Sequence, residues 1–134
     1  MSSNWLQDIK KMHLKYGHTF IVKTFRRNRL KTFLEYRIKF LEEELNELKD
    51  ARRPEDVVDA LIDLTTIAIG TLDLFEVDVQ QAWDKVYDAN MEKIKGKKAS
   101  RPNPSNMPDM NKPDTWQSPS HTGNCGRLSQ INWN

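Results

Sequence analysis

Two stretches of this 134-residue chain carry acids at spacings that could hold a divalent cation. In Glu42-Glu43-Glu44-Leu45-Asn46-Glu47, Glu44 and Glu47 are three apart, and Glu43 and Glu47 are four apart. Those intervals bring carboxylates onto one helical face, within a turn of each other, where like charges repel and gain from a cation. Further on, Asp56, Asp59 and Asp63 lie at i, i+3 and i+7, one continuous stripe on a helix. A glutamate cluster alone is ordinarily a solvated helix face. Asp63 is harder to read that way, because it sits inside the apolar run Ala60-Leu61-Ile62-Asp63-Leu64. An acid seldom occupies such a run unless it is paired or bound to metal. Oxygen-only ligands select hard cations, Mg²⁺ first and Mn²⁺ second, and carboxylates on two helices can hold more than one ion. Such a site bridges phosphate oxygens and lowers the pKa of a bound water, which suits hydrolysis of a phosphoanhydride. Phosphate also needs cations, and Asn90 and Lys93 offer an amide and an ammonium one turn apart, with Lys97 after them.

Helices must position these groups. The first is expected over residues 3–17, with Trp5, Ile9, Met12, Leu14 and Tyr16 as its apolar side and Gly17 as a C-terminal cap. Residues 18–28 are ambiguous from sequence: an extended connection through Phe20, Ile21 and Val22 is one reading, followed by the basic run ending at Arg29. Leu30, Phe33, Leu34, Ile38, Leu41, Leu45 and Leu48 recur at three- and four-residue steps and predict a second helix over about 30–50 with one buried face. A third, about 54–75, starts on Pro54, with Glu55 and Asp56 suiting the positive end of its dipole. Its second half is apolar nearly all round, so it should be buried centrally or between subunits. Asp78 and Gln81 form a capping-box pattern for a fourth helix running to about Lys95. Five of the six prolines then fall in 102–119. The expected organisation is a helical domain over 1–96 followed by an irregular Pro/Asn/Ser-rich extension over 97–134.

Composition narrows the partners. Lys plus Arg total 21 against 19 Asp plus Glu, a net charge of +2, too balanced for a protein whose main work is gripping nucleic acid. The single cysteine, Cys125, excludes an internal disulfide framework and a cysteine-based zinc site. No apolar run is long enough to span a bilayer and no signal peptide is evident, so the expectation is a soluble, cytoplasmic protein with no membrane partner. His13 and His18 read as packing or surface residues, and the tryptophans as core or docking anchors.

Several segments resemble a known family. Arg37-Ile38-Lys39-Phe40-Leu41-Glu42-Glu43-Glu44-Leu45-Asn46-Glu47-Leu48 looks like the EExxE helix of the MazG-type all-helical pyrophosphohydrolases. Asp59-Ala60-Leu61-Ile62-Asp63-Leu64, with Gly70 beyond it, looks like their second acidic helix, and Asp88-Ala89-Asn90-Met91-Glu92-Lys93-Ile94 resembles their closing SNMxK segment. Lys112-Pro113-Asp114-Thr115-Trp116-Gln117-Ser118-Pro119 resembles the KPxxWxxP tail of short phage and bacterial members, and Gln7–His13 is similar to the family's first helix. The resemblance covers about 5–119, with the motifs in the family's order.

It implies an all-α, four-helix bundle assembled as a homo-dimer or homo-tetramer, with the active site completed by a neighbouring chain. The implied reaction is hydrolysis of a (deoxy)nucleoside triphosphate to monophosphate and pyrophosphate by water attacking the α-phosphorus, with two or three Mg²⁺ or Mn²⁺ ions. By matching position, Glu44 and Glu47 would be metal ligands, Glu43 a ligand or the group activating water, and Asp63 the last acid of the second motif. The family's commoner ExxD pattern would put an acid at position 60, which is alanine here. Asp59 is the expected substitute, which bears on the number of metals. Asn90 and Lys93 would hold phosphate or sugar oxygens. Base recognition is expected from the first helix around Trp5, Asp8, Ile9 and Met12, or from the tail near Trp116. The short phage-type forms, including the MazZ-like kind, make dGTP the first substrate to consider, in a host cytoplasm if the chain is phage-encoded. The competing reading is a non-catalytic helical oligomer whose acids are a wet surface and whose basic tail docks a partner.

Overall fold

The computed structural model describes residues 4–134. They form two compact units, one running to Val79 and taking in Cys125–Asn134, the other Gln80–Asn124. In the first unit, helix α1 spans Trp5–Lys15, α2 His18–Lys23, α3 Arg27–Asp50 and α4 Pro54–Leu74, and a 3₁₀ turn follows at Gly126–Gln130. The second unit is built on α5, Val79–Met91, and a two-stranded antiparallel ladder of β1, Ile94–Gly96, with β2, Asp109–Asn111. No helix among the described residues is long and apolar enough to cross a membrane. Among the described residues the architecture is all-α apart from the small ladder, with a short fifth helix beside the four expected.

The fifth helix is α2, in the stretch that is ambiguous from sequence, and it excludes the extended alternative. Asn4 caps α1 by accepting from the Gln7 N–H at 3.2 Å. The helix turns at Gly17, whose φ of +80° suits a residue without a Cβ. Residue 3, expected to open α1, lies outside the described residues. The β-branched Ile21 and Val22 favour strand locally, but tertiary burial overrides that weak preference. Val22 packs into a cluster with Leu30, Leu74, Phe75 and Ile131. The guanidinium of Arg127 also donates to the carbonyls of Val22, at 2.8 Å, and Phe25, tying the C-terminal segment to the end of α2. The C-terminal segment that brings Arg127 there comes close to the end of α4. The Arg127 N–H donates to the Phe75 carbonyl at 2.6 Å, and a Cβ on Gly126 would collide with that carbonyl oxygen.

Helices α3 and α4 run antiparallel with a seven-residue repeat. The buried positions of α3 are Leu30, Arg37 and Glu44. On α4, Leu74, Ile67 and Ala60 are buried at the same spacing. Leu30 meets Leu74 in the core cluster, and Arg37 donates to the Ile67 carbonyl at 3.1 Å. The same register sets Ala60 opposite Glu44. The face of α3 expected to be buried is therefore only half covered. Leu30 is fully buried and Phe33 and Leu34 pack beside it, but Ile38 and Leu45 are exposed, because the inner stripe passes through Arg37 and Glu44. Likewise, α4 is not closed off by its own chain: Val58, Leu61 and Ile62 are exposed.

In the second unit, α5 ends at Met91, four residues short of the expected Lys95. The chain beyond it pairs Ile94 with Asn111 and Gly96 with Asp109. A three-residue ladder between Pro-rich stretches leaves no periodicity to read.

Candidate active site

The acids converge where α3 leaves the apolar core. Carboxylate oxygens of Glu44, Glu47 and Asp63 all lie within 4.8 Å of one another. Glu44 projects from the inner stripe of α3 and is only 9 % exposed, and Glu47 follows three residues on, so both reach the same place. Asp63 comes from α4, one turn beyond the buried Ala60. Glu44 Oε2 is shut off from water with no hydrogen-bond donor. Burial pushes the Glu44 carboxyl above its ordinary range, and the neighbouring Glu47, Asp63 and Glu43 push the same way. A buried carboxylate oxygen without a donor, among like charges, is costly unless a cation satisfies it. The set therefore fits a hard divalent ion, with three oxygen donors from the protein and space for water or phosphate in the remaining positions.

The other expected acids are placed differently. Glu43 and Asp59 are exposed and stand outside the convergent set. Asp56 is paired with Arg53 at 2.9 Å, and the nearby charge of Asp59 helps hold the Arg53 proton. Asp59, one turn before Asp63 on the same stripe, acts on Arg53 and stays outside the 4.8 Å set. On α1, Ile9 is buried while Met12 is exposed, as is Trp5, seven residues before it. Asn90 and Lys93 lie in the second unit, half-buried at the end of α5, where the Lys93 N–H donates to the Asn90 carbonyl at 3.1 Å.

A buried polar network further along the same two helices was not anticipated. Arg37, 8 % exposed, donates from Nε to Thr71 Oγ1 at 2.8 Å and lies against the rings of Phe33 and Phe40. Its acceptors are neutral, and burial lowers its pKa. His13 is also buried, with Nδ1 2.8 Å from Asp73 Oδ2, and Lys10 meets the other oxygen of that carboxylate at 2.5 Å. Gly70 makes room for both side chains: a Cβ there would lie 3.1 Å from Arg37 Nη2 and from His13 Nε2. The signal in the sequence was the interval Leu30–Arg37–Glu44, which puts two charged residues in line with a core leucine.

The sequence matches the phosphoribosyl-ATP pyrophosphohydrolase family (PRA-PH) over residues 22–90, just over half of the chain. The chain belongs to that family. PRA-PH shares its all-α nucleotide pyrophosphohydrolase superfamily with MazG. The matched region runs from the end of α2 through α5 and includes Glu44, Glu47, Asp63 and Asn90. It stops before Lys93, the ladder and Trp116. Among curated proteins, none matches the chain. As a PRA-PH member this is a pyrophosphohydrolase, a hydrolase of phosphoanhydride bonds acting on a nucleotide. Three carboxylates drawn from two antiparallel helices are the part of the PRA-PH fold here with the chemistry to hold a cation for that reaction.

Proposed function

We propose that this PRA-PH member hydrolyses a (deoxy)nucleoside triphosphate, a purine such as dGTP first among them, to the monophosphate and pyrophosphate. The observation that carries the reading is the cluster of Glu44, Glu47 and Asp63, with its buried oxygen lacking a donor. These three hold Mg²⁺ or Mn²⁺, which when bound neutralises phosphate charge and acidifies water. Two or three ions would also need Glu43 and Asp59, the exposed acids outside the convergent set. Glu43, free of the inner stripe and exposed, is available to accept a proton from the water that attacks the α-phosphorus. Asn90 and Lys93 supply an amide donor and a cation for phosphate or sugar oxygens.

Base recognition is assigned to α1, with Met12 and Trp5 on its exposed side and Ile9 beneath. Within one chain α1 engages α4 at Asp73. That is ten residues, or about 15 Å of helix, from Asp63. A nucleotide held at the acids is therefore better met by the α1 of a second copy. Exposed Ile38, Leu45, Val58, Leu61 and Ile62 on α3 and α4 support a homo-dimer or homo-tetramer, since apolar faces of that kind ordinarily mark interaction surfaces.

Product analysis over the common dNTPs and NTPs, with Mg²⁺ or Mn²⁺, tests this. Monophosphate plus pyrophosphate, lost on chelation and greatest for a purine, is the expected result. Orthophosphate as the sole inorganic product, or turnover indifferent to chelation, contradicts it.

A further inference from the structure

The net charge of +2 conceals an uneven distribution. Between Ile9 and Leu34 the chain holds eight Lys or Arg and no Asp or Glu. Five of these cations, Lys23, Arg26, Arg27, Arg29 and Lys31, gather where α2 gives way to α3, and all five are exposed. Among the described residues none of the five forms an ion pair. Their position does not favour the fold. Cations at the start of a helix oppose its dipole, and the first turn of α3 has no acid to offset them. Arg27 and Lys31, four apart on one helical face, repel each other as well.

Thr24, Arg26, Arg27, Asn28 and Arg29 line a groove of about 760 Å³, a volume in the range of clefts that hold a drug-sized molecule. The Arg29 guanidinium lies 5.6 Å from the centroid of the Phe25 ring, which fixes one wall. Thr24 keeps helical backbone at the end of α2, so Phe20, one turn earlier, stands on the same side. Its ring is 67 % exposed. Cations thus run from Lys23, past the groove, to Lys31 a turn into α3, with an open aromatic ring beside them. A track of this kind matches a chain of repeated phosphates better than one compact anion. The bare ring matches an unstacked base, which a single strand offers and a duplex does not. A lipid surface is too broad to enter the groove.

We propose that the groove at the junction of α2 and α3 binds single-stranded nucleic acid, with Lys23, Arg26, Arg27 and Lys31 on its phosphates and Phe20 stacked on a base. Arg27 and Glu44 are seventeen residues apart on α3, about 25 Å of helix, so the groove is separate from the acid cluster of its own chain. The binding needs neither that cluster nor a metal, and it stands or falls apart from the hydrolysis.

Fluorescence anisotropy of a labelled oligothymidylate with the full chain, in excess EDTA, tests it. The strand should bind, with affinity falling about fiftyfold between roughly 50 and 200 mM salt, as about four phosphate contacts require. Arg27→Gln should weaken binding by about fivefold or more and make the salt dependence shallower by one contact. Lys39→Gln, the same charge change at an exposed position further along α3, should leave binding unchanged. Phe20→Leu should lose about fivefold, the lower end for one stacked base, and keep the salt dependence. Circular dichroism confirms that each variant is folded, and Arg27→Gln should hydrolyse free nucleotide with the parent's KM. No binding, equal losses in Arg27→Gln and Lys39→Gln, or equal affinity for a duplex would overturn the site. A raised KM for free nucleotide in Arg27→Gln would give the groove to a neighbouring copy's active site, and tighter binding to phosphatidylserine vesicles would give it to a lipid surface. Either result overturns the strand.

Discussion

Glu44 and Asp63 bring carboxylate oxygens within 4.8 Å of each other across α3 and α4, and Glu44 does so from a buried position with one oxygen lacking any donor. Two acids this close, one of them withdrawn from water, are stable as a pair only when a proton or a cation lies between them.

Asp63→Asn removes one charge from that pair without changing its volume. We expect kcat/KM to fall by about a hundredfold or more, the scale of losing one electrostatic group at a reacting centre, with an unchanged circular dichroism spectrum and, without divalent ions, a melting temperature no lower than the parent's. Wild-type turnover in this variant would sink the assignment of the cluster as the active site.

Glu44→Gln should separate stability from metal binding. Without divalent ions the variant should melt higher than the parent by roughly 1 kcal/mol of stability, because a buried, unpartnered charge is gone. The parent should be stabilised by Mg²⁺ through preferential binding to the folded state, and the variant should not. A Mg²⁺-induced rise in melting temperature equal in both proteins would show that the ion sits elsewhere.

Gly70 lies under two pinned side chains, Arg37 held by Thr71 and Ile67, and His13 held by Asp73. Neither can retreat without losing a buried hydrogen bond. Gly70→Val should therefore cost about 1–3 kcal/mol, the range for overpacking, in a denaturant titration. A variant as stable as the parent would mean that the network is looser than its distances imply.

His18 provides a pH dependence whose direction is set. Burial lowers its pKa below 6.5, and the charges of His13 and Arg37 add to the effect. Above 6.5 the ring is neutral in both folded and unfolded chains and contributes nothing. As pH falls through 6.5 the unfolded chain takes up the proton first, so stability declines until the lower folded value is passed. Melting temperatures measured as pH falls below 6.5 should show this decline, and His18→Gln should flatten part of it. An identical slope in the variant would remove His18 as its source.

Much of this protein was legible in the residues. Pro54 and the break at Ala51–Arg53 set the start of α4, Gly17 set the turn after α1, and the spacing of Glu44, Glu47 and Asp63 marked them as groups that helices could bring together. These features act over one or two turns, and helical geometry there follows from sequence alone. What the tertiary structure decided was the rotation of α3 on α4. The three- and four-residue steps fit a buried face through Ile38 and Leu45 as well as one through Arg37 and Glu44. The contact of Leu30 with Leu74 and the bond from Arg37 to Ile67 choose the second. That rotation turns Glu44 inward and leaves Glu43 and Asp59 outside. The helix α2 was hidden for the same reason. Its residues have no strong helical preference, and what stabilises them is the packing of Val22 on Ile131 and the reach of Arg127, contacts from more than a hundred residues further along the chain.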